Sequence, residues 1–212
     1  MINLQLLKET PLFILKKLPT SIMQYIYDLT MNFYNNADEI IPRLWLGNHK
    51  SALDASFLKK NNINVIINCT KNKCFIDKRQ ETILLDNNNI DSDNIEMYRI
   101  PVNDSLLECD FIIMQAYFKI IVPLLLRKYT IEQKNILIHC HMGKQRSAIV
   151  VAALLKVLLD YNYIKLDAIP KEDVSLEKQF NYICKYIVSK RSQAFTFGYK
   201  INFTLSFFRF FK

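Results

Sequence analysis

The stretch His139-Cys140-His141-Met142-Gly143-Lys144-Gln145-Arg146-Ser147 constrains this chain most, because it sets a cysteine and an arginine six positions apart around a glycine. The apolar run Ile136-Leu137-Ile138 precedes it, and Ala148-Ile149-Val150-Val151-Ala152-Ala153-Leu154-Leu155 follows. The first run is short and mostly β-branched, which predicts a buried strand; the second, rich in Ala and Leu, predicts a helix packed on a sheet. The loop is therefore expected between a strand end and a helix start.

That position has chemical consequences. The first turn of a helix leaves several backbone N–H groups unpaired and carries about half a positive charge, together an anion site. Gly143 lets the backbone turn so that successive N–H groups point inward. Arg146 closes the far side, its planar fork matching two phosphate oxygens at once, as a lysine cannot. Cys140 lies at the base of this cradle, where the dipole, the amides and Arg146 all favour the thiolate. Cysteines so placed titrate at roughly pH 3.5 to 7.5, against about 8.5 when free. Ser147 is placed to donate its hydroxyl to the sulfur and improve it as a leaving group.

The pattern His-Cys-x-x-Gly-x-x-Arg-Ser resembles the signature loop of the cysteine-dependent protein phosphatases, and its context is most similar to the dual-specificity branch. The resemblance implies that Cys140 attacks phosphorus. It also implies that the backbone amides of His141, Met142, Gly143, Lys144, Gln145 and Arg146 hold the phosphate, that His139 supports the loop, and that an aspartate from a separate loop protonates the leaving oxygen. No metal and no cofactor is required.

Two other readings of the same residues compete. His139, Cys140 and His141 suggest a metal site, but adjacent residues of an extended segment point to opposite faces. The only other histidine is His49, and no zinc-like Cys/His spacing occurs. A buried structural cysteine, the usual fate of a lone Cys, leaves Gly143 and Arg146 unexplained.

At 212 residues, half of them apolar, the chain can bury a full core as one domain with an added segment. Its 28 Lys and Arg against 20 Asp and Glu favour phosphorylated or otherwise acidic partners without choosing among them. Five cysteines, at 69, 74, 109, 140 and 184, have no regular spacing, which predicts a reducing, intracellular and cytoplasmic setting. Lys8, Glu9, Lys16 and Lys17 interrupt the N-terminal apolar residues, so no signal peptide is expected, and no uninterrupted apolar run reaches transmembrane length.

Residues 1–38 read as an N-terminal helical extension, with Thr10-Pro11 as a cap and Ile22, Tyr25, Ile26, Leu29 and Phe33 as one apolar stripe. The stripe is expected to pack on the catalytic domain, the alternatives being a homodimer or partner helix and docking on a membrane surface. From Glu39 the resemblance resumes and gives a catalytic domain over 39–212. Ile40 to Gly47 is similar to the family's opening strands. Ser51 to Asn61 reads as a short helix and Asn64 to Cys69 as a buried strand. Residues 70–95 are polar with one strand candidate, Thr82-Ile83-Leu84-Leu85. Phe111 to Arg127 reads as an apolar helix that Pro123 should kink or end. Leu176, Phe180, Ile183 and Ile187 form a helical core stripe. Lys190-Arg191-Ser192 resembles the family's closing basic pair before a last helix. The aromatic tail Phe203, Phe207, Phe208, Phe210 and Phe211 reads as a docked terminal helix rather than a membrane contact.

Met97 to Val102 is a strand candidate broken by Asn103-Asp104-Ser105. In the family the general acid follows such a strand, which makes Asp104 the candidate and Asp110 its rival. An alkoxide or phenoxide leaves poorly unless protonated, and the resulting carboxylate can then take a proton from water. The competing use of Asn-Asp-Ser is a turn or helix cap.

The expected fold is α/β: a central, twisted, mostly parallel sheet of about five strands flanked by helices, the cysteine-phosphatase fold, with the N-terminal extension. The expected activity is hydrolysis of phosphotyrosine and phosphoserine/threonine in phosphorylated protein substrates. RNA 5′-triphosphate or phosphoinositide is the alternative substrate: Ser147-Ala148 leans toward proteins, Lys144 and His141 toward more highly charged molecules. Gln145 replaces the small residue often found before the arginine. The non-enzymatic alternative is a phosphate-dependent binding module, although Cys140, Arg146 and Asp104 are all retained.

Overall fold

The structure is a computed structural model and describes residues 35–73, 95–105, 107–166, 175–195 and 202–212. The chain divides into compact units Met1–Asn35 and Asn36–Lys212, and apart from Asn35 the described residues belong to the second. The N-terminal stripe and the Thr82-Ile83-Leu84-Leu85 candidate lie outside the described residues.

Two short β-rich runs joined by Pro42-Arg43 form β1 (Ala37–Ile41) and β2 (Leu44–Gly47), an antiparallel pair in which Asp38 lies opposite Leu46. Helix α1 (Ala55–Lys60) follows a 3-10 turn and starts at Asp54, whose carboxylate accepts the Phe57 amide at 3.0 Å. Then come β3 (Ile63–Asn68), β4 (Glu96–Arg99), α2 (Glu108–Thr130), β5 (Asn135–His139), α3 (Arg146–Asp160), α4 (Leu176–Lys190) and α5 (Asn202–Phe210). The sheet order is β1-β2-β5-β3-β4, with β2, β5, β3 and β4 mutually parallel.

Strand alternation sorts the apolar side chains onto two faces. Leu44, Leu46, Val65, Ile67, Ile136 and Ile138 enter the larger core beneath α2, α3, α4 and α5. Ile63, Ile66 and Leu137 face Ala52 and Leu58, with Trp45 and Phe57 in edge-to-face contact at 5.3 Å. With both faces covered, the central strands read as near-continuous apolar runs, as parallel strands do. Every residue from Ala148 to Leu155 is buried, so α3 is a core helix.

Pro123 neither ends nor breaks the helix that contains it: α2 runs unbroken through it. The residue sits on the exposed face, where the carbonyl that loses its partner can be hydrated, while Met114, Phe118, Ile121, Val122 and Leu125 hold the opposite face in the core. Among the described residues α2 is the one helix long and apolar enough, by length and composition, to cross a bilayer, a test that core helices also pass. The terminal aromatics dock. Phe203 and Phe207 are buried, and Phe207 lies 4.6 Å from Phe180 of the α4 stripe.

Candidate active site

The parallel register brings three strand ends to one level, with Gly47 of β2 and Asn68 of β3 both opposite His139 of β5. In open α/β sheets this carboxyl edge is where ligands bind. Cys140 is the next residue, 2% exposed, and the chain turns through residues 141–145 before α3 begins at Arg146. No side chain caps that helix start, so its first amides remain available to the loop.

Gly143 has φ +68°, and a Cβ there would stand 2.4 Å from the carbonyl oxygen of Gly47. The residue is required twice, for the left-handed turn and for the close approach of the β2 end. Its N–H donates to Cys140 Sγ at 3.2 Å, and the Ser147 hydroxyl donates to the same sulfur at 3.2 Å. Burial alone pushes the Cys140 thiol up. Arg146, the Ser147 hydroxyl and the amides of Ser147 and Gly143 outweigh it and hold the group below its ordinary value.

Arg146 is 5% exposed. It donates through Nη1 to the carbonyl of Val102 at 3.3 Å and through Nη2 to Asp104 Oδ2 at 3.1 Å. Among the described residues its buried Nε has no acceptor. The Asp104 side chain is half exposed. The rival Asp110 is buried and occupied: it accepts the Asn103 amide at 3.0 Å and the Ser105 hydroxyl, bracing the turn that carries Asp104. The structure thus places Cys140, Arg146, Asp104 and Ser147 together and assigns Asp110 a structural contact.

His139 is fully buried, its Nδ1 3.4 Å from the Cys140 carbonyl oxygen and its ring stacked on His49 at 6.3 Å. Burial, only partly offset by the Cys140 carbonyl, lowers its pKa to about 3, so the ring is neutral. Burial and then Lys73, Arg146 and His49 lower His141 to about 4. Lys144 is buried, and burial with the neighbouring Arg191 lowers its pKa too. Of the two residues expected to lean the loop toward more highly charged substrates, His141 is thus neutral at pH 7 and Lys144 is packed away beside a second cation. Gln145 is buried as well, and its carbonyl accepts the Ile149 amide at 2.9 Å in the first turn of α3.

The underside of the loop depends on a residue to which the sequence analysis gave no role at the site. Arg191, just past α4, is almost fully buried. It donates through Nε to the Gly143 carbonyl at 2.9 Å, through Nη2 to the Met142 carbonyl at 3.3 Å and through Nη1 to Asp38 at 2.6 Å. The signal was the closing basic pair Lys190-Arg191. Its spatial role was hidden because 48 residues separate Arg191 from Gly143. The Lys144 carbonyl accepts the Phe195 amide at 2.8 Å, a second tie from the same segment.

The dual specificity phosphatase catalytic-domain model matches residues 44–169. Human dual specificity protein phosphatase 13B is 28% identical over 123 residues, 58% of this chain and 57% of that protein, so the chain spans little more than half of the relative's length. Among solved structures, the Yvh1 phosphatase domain from Chaetomium thermophilum aligns with a TM-score of 0.60 at 20% identity, covering 82% of this chain and 95% of that one. Human DUSP28 aligns at 0.55 with 16% identity over 83% and 93% of the two chains. OH1 from the Orf virus aligns at 0.55 with 19% identity over 84% and 87%. These structural likenesses are of fold. The family match covers more than half of the chain and contains both the Cys140 loop and the Asp104 turn, and the chain belongs to the dual specificity phosphatase family.

Proposed function

We propose that this chain is a protein phosphatase that hydrolyses phosphotyrosine and phosphoserine/threonine through a cysteinyl-phosphate intermediate. The observation that carries the reading is the convergence of two donors on Cys140 Sγ with Arg146 and Asp104 alongside.

A phosphate entering the loop takes the Arg146 guanidinium, including Nε, and frees Asp104 from its ion pair. The amides of residues 141–146 hold the equatorial oxygens, where transition-state charge accumulates. The Cys140 thiolate attacks phosphorus and forms the S–P bond as the P–O bond to the leaving group breaks; Asp104 gives that oxygen its proton. In the second step water attacks phosphorus, Asp104 takes the proton, and the S–P bond breaks with the electron pair returning to sulfur, which Ser147 stabilises by hydrogen bonding. Gly143, Arg191 and neutral His139 keep the loop in shape.

A thiolate nucleophile works in a reducing environment, which supports an intracellular location. The RNA triphosphate and phosphoinositide alternative loses its main support with Lys144 buried and His141 neutral. The test is hydrolysis of peptides carrying one phosphotyrosine or one phosphothreonine, measured beside a 5′-triphosphorylated RNA oligonucleotide. Turnover of both peptides and none of the RNA is expected. Tight peptide binding without turnover would identify a binding module.

A further inference from the structure

Helix α2 is more apolar than its burial accounts for. It is long and apolar enough to cross a bilayer, yet fewer than half of the residues in its most apolar stretch are buried. One side faces the core through Phe111, Met114, Phe118, Ile121, Val122 and Leu125. On the other side Cys109, Ile112, Ala116, Ile120, Pro123 and Arg127 recur every three or four residues, and all are exposed, Ile112 by 50% and Ile120 by 66%. Single exposed apolar side chains are ordinary, but the first five of these form one unbroken row, and such a patch marks a contact surface. Among the described residues no element lies over it.

The row is symmetric about its middle. At roughly 100° per residue, its six members fall within about 40° of Ala116 on either side. Ile112 stands one turn before Ala116 and Ile120 one turn after it, with Cys109 and Pro123 equally far out beyond them. A second copy of α2, laid antiparallel and related by a two-fold axis at Ala116, brings its Ile120 level with Ile112 and its Pro123 level with Cys109. The small side chain of Ala116 lets the two backbones approach at the crossing. Charge follows the same symmetry. The first turn carries Glu108 and the last carries Arg127, whose side chain is 59% exposed even though its Nε pairs with Glu132 at 3.0 Å. The antiparallel arrangement sets each Glu108 within about one turn of the other copy's Arg127 and opposes the two helix dipoles, whereas a parallel one sets like charges together.

We propose that the exposed face of α2 is the contact of a symmetric homodimer, in which a second copy of this chain lies antiparallel across Ala116. The inference is independent of the phosphatase reading, since assembly is measured without substrate. A membrane surface fits the face less well: helices that lie on bilayers carry a basic polar rim, whereas this row ends in one acidic and one basic residue, the pattern that a second copy complements. One helix pair makes a small interface, so the dimer forms in a concentration-dependent way.

The experiment is sedimentation velocity on the full-length chain from low micromolar to submillimolar concentration, where the mass should rise from that of one chain to that of two. Ile120→Asp places a carboxylate in the seam twice per dimer and should weaken association by about 100-fold or more. Because Ile120 is exposed in the single chain, the variant keeps its fold, which circular dichroism checks. Glu108→Arg should also weaken association, and adding Arg127→Glu should restore it, a recovery that only the antiparallel register gives. In a Cys109→Ser background, a short bismaleimide should join two copies of Ala116→Cys. A single-chain mass at every concentration overturns the proposal, as does a dimer that Ile120→Asp leaves intact. Failure of the double charge exchange to restore association overturns the antiparallel register. Sedimentation of a monomeric chain with anionic phospholipid vesicles, abolished by Ile120→Asp, overturns the second copy in favour of a bilayer.

Discussion

Arg191 Nε donates to the carbonyl oxygen of Gly143 at 2.9 Å, so the turn that aims an amide at the Cys140 sulfur is held from beneath by a buried guanidinium. The same side chain reaches Asp38 of β1, linking the first strand to the phosphate loop. Arg191→Ala strands a largely buried carboxylate and two loop carbonyls, and breaking such a pair costs about 3–5 kcal/mol. Urea denaturation measures that loss. Arg191→Lys keeps a charge but not the fork, so it should recover part of the stability while kcat/KM stays depressed, on the order of 10²-fold for a loop displaced by about 1 Å.

Asp104 makes its described contact through Arg146 Nη2, and its side chain is half exposed. Asp104→Ala should slow turnover of substrates with poor leaving groups by about 10²–10⁴-fold, the range of a general acid. Activated aryl phosphates should be affected far less. Equal losses on both would remove Asp104 from the acid role, and Asp110→Asn, which disturbs the bracing of the turn, should chiefly lower stability.

Two histidines flanking Cys140, His139 buried and His141 half-buried, give the fold an acid limit. His139 is depressed to about 3 and His141 to about 4, from 6.5 for each. A depressed folded-state pKa means that the unfolded chain binds the proton first. The stabilisation is therefore complete above pH 6.5 and is lost as pH falls toward 4 and then 3, by up to about 1.4 kcal/mol per pH unit for each proton taken up. Urea midpoints at pH 7 and pH 5 should show a clear decrease, and His139→Gln should flatten it. His49, Arg99 and Arg146 all face this ring with like charge or potential charge, so none reverses the sign.

Thiol reactivity should separate the cysteines. Cys140 is held below its ordinary pKa, whereas burial raises Cys184, and burial reinforced by Cys140 raises Cys69. Iodoacetate at neutral pH should label Cys140 rapidly in the native protein and spare Cys69 and Cys184, with phosphate or vanadate protecting. Peptide mapping after brief exposure reads the order. Faster labelling of Cys69 than Cys140 would contradict the electrostatics of the loop.

Much of this arrangement was legible because strand, loop and helix adjoin in the chain. Ile136 to Leu155 announced a buried strand, an anion-binding turn and a core helix without reference to any distant residue. Asp104 was legible only through resemblance, since Asn-Asp-Ser also suits a plain turn, and the bracing by Asp110 required coordinates. Arg191 stood in the closing basic pair and Asp38 in no pattern, and neither was assigned a role at the site because their partners lie far away in sequence. Pro123 does not end its helix because proline's cost depends on which face of the helix it occupies, and periodicity alone did not place it on the hydrated side.

The most direct measurement is metal-free hydrolysis of an aryl phosphate by the native chain and by Cys140→Ser, with folding matched by circular dichroism. The thiolate mechanism predicts turnover in the native chain, with an acid limb set by a thiol below its ordinary pKa, and a fall to background in Cys140→Ser. Turnover that persists without the sulfur would contradict it.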